Sequence, residues 1–305
     1  MNKTSFVSAV TGLLALAGVC AAQPPGITLE MINRALPLEG APLAVPGPYT
    51  VTSEKAFGSP GLLVFRPTNL DAFPKKDTLP LMVWGNGGCA IETARYSGFL
   101  TTIASRGFLA MGTTAQEGGA RRQATADDLR AAVDWAEKEN TRDGSPLKGK
   151  IAMDKVAVMG QSCGGFLSIS LGADPRVKTI GVFNAGVLPA NPGAPPSPFP
   201  TSEGLKNLHG PVLLVNGHEP DFMMANSKAT FEAIDNLPVF YGARHNAGHT
   251  ATVFHPGGGE FANVASNWMK WQLKADKKAA AMFVGKNCSL CTNANWDVQS
   301  KGIKE

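Results

Sequence analysis

Between residues 61 and 242, short aliphatic and β-branched runs alternate with stretches of helical periodicity. The runs are GLLVFRP (61–67), LPLMVW (79–84), GFLAMG (107–112), KVAVMG (155–160), VKTIGVF (177–183), PVLLVNG (211–217) and LPVFYG (237–242). Continuous apolar character, as opposed to alternation of apolar and polar positions, marks strands buried on both faces. Strands of that kind alternating with helices specify a largely parallel sheet covered on both sides. The seven runs are expected to be its skeleton.

The clearest helix is expected from about Thr125 to Asn140. Thr125 and Asp128 form a T-x-x-D capping box, and Leu129, Ala132, Val133 and Ala136 fall at i, i+3, i+4 and i+7, which puts them on one face against the sheet. A second helix is expected over FANVASNWMKWQLK (261–274), with Val264, Trp268, Trp271 and Leu273 as its buried stripe. Its tryptophans read as core and not as a ligand platform. Two stretches are irregular. Residues 185–204 carry six prolines and three glycines and must be a loop, too short for a helical lid. Residues 243–260 follow the last run and hold three of the five histidines.

The first 22 residues read as a cleaved secretory leader: a basic Lys3, an apolar run too short to span a bilayer, and small residues before Gln23. No later stretch is long and apolar enough to cross a membrane, so a soluble, exported protein is expected. Length alone, 305 residues, suits one large domain or two small ones, and since 23–305 show no break that would divide them, one domain is expected, with a short tail from about 275 to 305. A formal net charge of +4 is small for this length and does not point to nucleic acid. Cutting the leader away removes Cys20 and leaves Cys89, Cys163, Cys288 and Cys291. An even number in an exported chain suggests disulfides. The CSLC segment (288–291) lacks the second cysteine pair a zinc site needs and reads as a structural cross-link.

Directly after the run ending at Gly160 comes GQSCGG (160–165), followed by helical FLSISLGA. G-x-S-x-G between strand and helix is the pattern of a nucleophile elbow, a strained turn that lifts its serine above the sheet edge. Glycines at 160 and 164 are needed where side chains would collide as the chain doubles back. A serine hydroxyl attacks poorly at neutral pH unless a base takes its proton and a carboxylate orients that base. Both are available further along. GHEPD after the 211–217 run supplies Glu219 and Asp221, and ARHNAGHT after the 237–242 run supplies His245 and His249. Backbone amides must also hold an oxyanion. The glycine-rich WGNGGC (84–89) can present such amides, and it lacks the spacing of a phosphate loop.

This order of elbow serine, acid and histidine on successive strands, spread over residues 61–274, resembles the α/β-hydrolase superfamily. SRGFLAMG (105–112) and GQSCGG further resemble its secreted, lidless esterase branch near dienelactone hydrolases and cutinase-like polyester hydrolases. The resemblance implies an α/β-hydrolase fold, a mostly parallel central sheet with helices on both faces and no large cap domain. It implies Ser162 as nucleophile, Asp221 as acid and a histidine after the last strand. His249 in AGHTAT is preferred over His245, and Glu219 is the rival to Asp221. Two departures stand out: Cys163 replaces the methionine usual after the serine, and WGNGGC is richer in glycine than the oxyanion loop of the cutinase-like group.

On such an elbow the serine points up, so Cys163 contributes its N–H to the oxyanion hole, with Asn86 or Gly87 supplying the other. Cys89 ends the loop carrying that second donor. Bonds Cys89–Cys163 and Cys288–Cys291 are therefore expected. The expected function is a secreted serine carboxylic ester hydrolase acting through an acyl-enzyme on a small or polymeric ester, without metal or organic cofactor. An acyltransferase using the same triad and a catalytically silent binding member of the fold are the alternatives.

Overall fold

The computed structural model describes Leu38 and residues 40–119, 122–187 and 200–304. The expected leader and most of the proline-rich stretch lie outside the described residues. The seven expected strands all form, as β2 (Ser59–Pro67), β3 (Leu79–Gly85), β4 (Leu109–Thr113), β5 (Ile151–Gln161), β6 (Val177–Phe183), β7 (Val212–Gly217) and β8 (Val239–Arg244). Two more, β1 (Val51–Ala56) and β9 (Trp296–Lys301), flank them. All belong to one nine-stranded sheet in the order β1-β2-β4-β3-β5-β6-β7-β8-β9. Pairing is parallel from β4 through β3, β5, β6 and β7 to β8. Only β1, β2 and β9 run antiparallel to their neighbours. This is the α/β-hydrolase architecture, and the added edge strands carry mostly polar, exposed residues, so no aliphatic run announces them.

Because neighbouring residues of a strand face opposite ways, the sheet builds two cores. Leu81, Val83, Val156 and Val158 face α2 (Ala126–Glu139), α3 (Cys163–Leu171) and α4 (Met224–Ala233). Met82, Trp84, Ala157 and Met159 face α1 (Ser97–Ser105) and α5 (Gly259–Lys274). The capping box forms at the start of α2: the Thr125 side chain accepts from the Asp128 N–H, and the Asp128 carboxylate accepts from the Thr125 N–H. In α5, Val264, Trp268 and Leu273 are buried, and Trp268 Nε1 donates to Thr179 Oγ1 at 2.8 Å. Trp271 is half-buried and stacks on Phe283, so the tryptophans of this helix serve packing.

The chain after α5 completes the sheet. A short α6 (Lys277–Ala280) and a Cys288–Cys291 disulfide lead into β9, whose Trp296 donates to Glu260 Oε1 at 2.8 Å. Five consecutive parallel pairings aim the C-terminal ends of β3 to β8 at one rim, where ligand crevices form in open α/β sheets. Loops leaving β3, β5, β7 and β8 gather there. Among the described residues no helix is long and apolar enough to cross a membrane.

Candidate active site

Strand β5 ends at Gln161, α3 begins at Cys163, and Ser162 stands alone between them with φ 54° and ψ −122°. That left-handed φ in a residue with a Cβ is a strained conformation. It persists because the turn is locked from both sides: a Cβ on Gly160 would lie 2.2 Å from Gly164 O, and one on Gly164 would lie 2.0 Å from Gly85 O. Any larger residue at either position would push the elbow off β3 and β5.

A histidine and a carboxylate reach Ser162 from the loops that follow β8 and β7. His249, in the loop after β8, is buried and places Nε2 2.8 Å from Ser162 Oγ. Its Nδ1 lies 2.9 Å from Asp221 Oδ1. Asp221, after β7, is buried too, and its carboxylate accepts three further bonds. They come from Asn184 Nδ2 at 2.7 Å, the Met223 N–H at 3.0 Å and the Gly217 N–H at 3.2 Å. A buried carboxylate with all its partners satisfied is held in one orientation. The half-buried Phe222 lies over the His249 ring, with centroids 3.9 Å apart.

Residues 41–300 match the model of one protein family, described as PET hydrolase-like. The chain belongs to that family. No curated protein matches it. Membership in the PET hydrolase-like family makes it an ester hydrolase, with small or polymeric carboxylic esters as the substrate class.

The rival residues lie elsewhere. Glu219 is exposed. His245 places Nε2 2.8 Å from Asp297 Oδ1 on β9, and His218 Nε2 lies 3.0 Å from the other oxygen. Among the described residues, these three side chains are the group whose donor atoms, all within 4.8 Å of one another, could hold a metal ion. His209 is exposed, and His255 is half-buried with its pKa lowered by that burial.

Around the elbow, Cys89 and Cys163 are disulfide-bonded, with Cα atoms 5.0 Å apart, so the glycine-rich loop and the start of α3 are tied together. The first N–H groups of a helix have no acceptor within it. Cys163 is the first residue of α3, so its amide is of this kind and lies beside Ser162. Gly87 is placed differently from expectation. Its N–H donates to the buried Tyr96 hydroxyl at 2.8 Å and is thereby engaged within the protein. The Asn86 side chain is itself fixed, donating to Ala90 O at 2.8 Å and Thr93 Oγ1 at 2.9 Å.

Asn184, Tyr96 and Gln161 were not anticipated. Asn184 follows β6 with φ 48°, in the left-handed region that asparagine tolerates better than most residues. A lone asparagine after a strand is the only sequence signal it offers.

Proposed function

We propose that the chain is a secreted serine hydrolase of carboxylic esters, in which Ser162, His249 and Asp221 form the catalytic triad. Ser162 Oγ attacks the ester carbonyl while His249 Nε2 takes its proton. Asp221 holds the imidazole with Nε2 facing the serine and stabilises the cation that forms. The amides of Cys163 and Asn86 receive the negative charge on the carbonyl oxygen. Collapse of the tetrahedral intermediate expels the alcohol, which leaves with the proton from His249. Water, deprotonated by the same histidine, then attacks the acyl-enzyme and releases the acid. The cycle consumes only the ester and water.

One observation carries this reading: the unbroken line from Ser162 Oγ through both ring nitrogens of His249 to Asp221, at 2.8 and 2.9 Å. Two disulfides fit an oxidising compartment and thus export. One catalytic domain over 23–305 is part of the proposal, since β9 closes the same sheet that carries the site. Family membership makes a polyester chain a reasonable substrate beside small esters.

A panel of p-nitrophenyl esters from acetate to palmitate tests the proposal. Wild type is expected to turn over at least the short members, and Ser162→Ala to lose on the order of 10⁴-fold or more in kcat. Absence of turnover by wild type across the panel, and on a soluble aromatic diester, would contradict it.

A further inference from the structure

Gln161 occupies the position just before Ser162 and is buried. Its carboxamide faces two different loops. Oε1 accepts the Tyr96 hydroxyl proton at 2.9 Å, and Nε2 donates to the backbone carbonyl of His249 at 3.0 Å. A phenol has one proton to give. With that proton on Gln161, the Tyr96 oxygen is an acceptor, and it takes the Gly87 N–H at 2.8 Å. The bonds therefore run in one consistent direction from Gly87 to Tyr96 to Gln161, and from Gln161 on to His249.

We propose that Gln161 and Tyr96 are positioning residues for ester hydrolysis, holding the glycine-rich loop after β3 and the histidine loop after β8 in register with Ser162. This rests on the triad reading given above. Neither side chain needs to touch substrate; each acts through the backbone it holds. The residue types are those that bridging these two loops requires. Only a side chain with a donor and an acceptor on one rigid plane can accept from Tyr96 and donate to His249 O together. Burial pushes the Tyr96 phenol up to about 12, so it keeps its proton throughout the working range. Space is equally restrictive: a Cβ on Gly87 would lie 2.3 Å from Gln161 Oε1 and 2.6 Å from the Tyr96 oxygen. Glycine at 87 and the pair Tyr96 and Gln161 therefore form one unit. The Cys89–Cys163 disulfide ties the same loop to the far side of the serine, so the elbow is gripped from both neighbours.

The test uses the full mature chain and a soluble short-chain p-nitrophenyl ester, with rates normalised to sites titrated by an organophosphonate. Misplacement of reacting groups by about 1 Å can cost roughly 10²-fold in rate. Gln161→Leu is accordingly expected to lower kcat about 10- to 100-fold, with KM changed by less than about twofold. Gln161→Glu discriminates positioning from mere packing. A neutral glutamic acid can still accept from Tyr96 and donate its O–H to His249 O, whereas the carboxylate cannot donate. The ratio of Gln161→Glu to wild-type kcat is therefore expected to fall as pH rises. Tyr96→Phe, which keeps the ring against Trp84 and Phe254, is expected to lower kcat in the same sense and serves if either Gln161 variant fails to fold. A Gln161→Leu or Tyr96→Phe kcat within about twofold of wild type, or a Gln161→Glu ratio that does not vary with pH, would overturn the proposal. If Ser162→Ala retains activity, the triad reading fails and this one with it. If only Ser162→Ala is dead while the Gln161 and Tyr96 variants are fully active, this one fails alone.

Discussion

Asn184 donates its side-chain amide to Asp221 Oδ2 at 2.7 Å, on the oxygen that His249 does not use. The carboxylate is thus fixed by a bond independent of the histidine it orients. Hydrogen bonds to charged groups contribute about 1.5–3 kcal/mol. Asn184→Ala is expected to lower kcat by about tenfold or more with little change in KM. Asp221→Asn, which reverses the tautomer preference of the imidazole, is expected to lose on the order of 10⁴-fold. Steady-state kinetics on the two variants checks both values. Equal losses would show that Asn184 does more than hold the acid.

The two loop histidines should separate cleanly. His249→Gln removes the group facing Ser162 and is expected to abolish ester turnover. His245→Gln breaks an exposed pair with Asp297 and an edge contact with the His218 ring, and exposed pairs of this kind contribute about 0–1 kcal/mol. It should keep activity within a few-fold of wild type and shift the thermal midpoint little. Glu219→Gln should behave like His245→Gln. Loss of activity in either control, with a normal melting curve, would move the base or the acid to the rival residue.

The disulfides differ in what they restrain. Cys89–Cys163 closes a separation of 74 residues and Cys288–Cys291 one of 3. Chain-entropy reasoning assigns roughly 4 kcal/mol to the first and about 2 kcal/mol to the second. Replacing both cysteines of a pair by alanine and measuring unfolding in denaturant should reproduce that ranking. Only loss of Cys89–Cys163 is expected to reduce kcat as well, because only that bond reaches the elbow.

Acid stability draws on carboxylates held by arginines, Asp174 and Glu139 among them. Asp174 accepts from Arg176 at 2.7 and 3.0 Å, and Glu139 from Arg142 at 2.6 and 2.8 Å. Those hydrogen bonds hold both carboxyls below their ordinary values of 3.8 and 4.5. A depressed folded-state pKa adds stability above the unfolded value, and that stability disappears as pH falls through the folded one. The melting temperature should hold down to about pH 5 and decline below it. Asp174→Asn should start lower at neutral pH and decline less steeply on the acid side, as scanning calorimetry along a pH series would reveal.

The sequence made the parallel centre of the sheet legible because strands buried on both faces must be apolar throughout. Edge strands β1 and β9 face solvent, so VTSEKA and WDVQSK carry no such mark. Ser162 was legible because its turn demands glycine at 160 and 164, a local requirement written into adjacent positions. The choice between His245 and His249 was not local. β8 continues to Arg244, so His245 emerges opposite β9 beside Asp297, and four residues further the chain has bent back over the elbow. Hydrogen bonds joining Gln161 to Tyr96 and to His249, 65 and 88 residues away, leave no periodic trace either. Gly87 illustrates the same limit: its freedom from a side chain was readable, but the tyrosine that takes its amide was not.

The most direct test of the account is to trap the acyl-enzyme. Wild type and Asp221→Asn are mixed with a p-nitrophenyl ester and quenched in acid, and the peptide spanning Val156 to Arg176 is fragmented in a mass spectrometer. One acyl group is expected on Ser162, with Cys163 recovered in disulfide linkage to Cys89. An acyl group on any other residue of that peptide, or ester turnover with no adduct at Ser162 and full activity in Ser162→Ala, would contradict it.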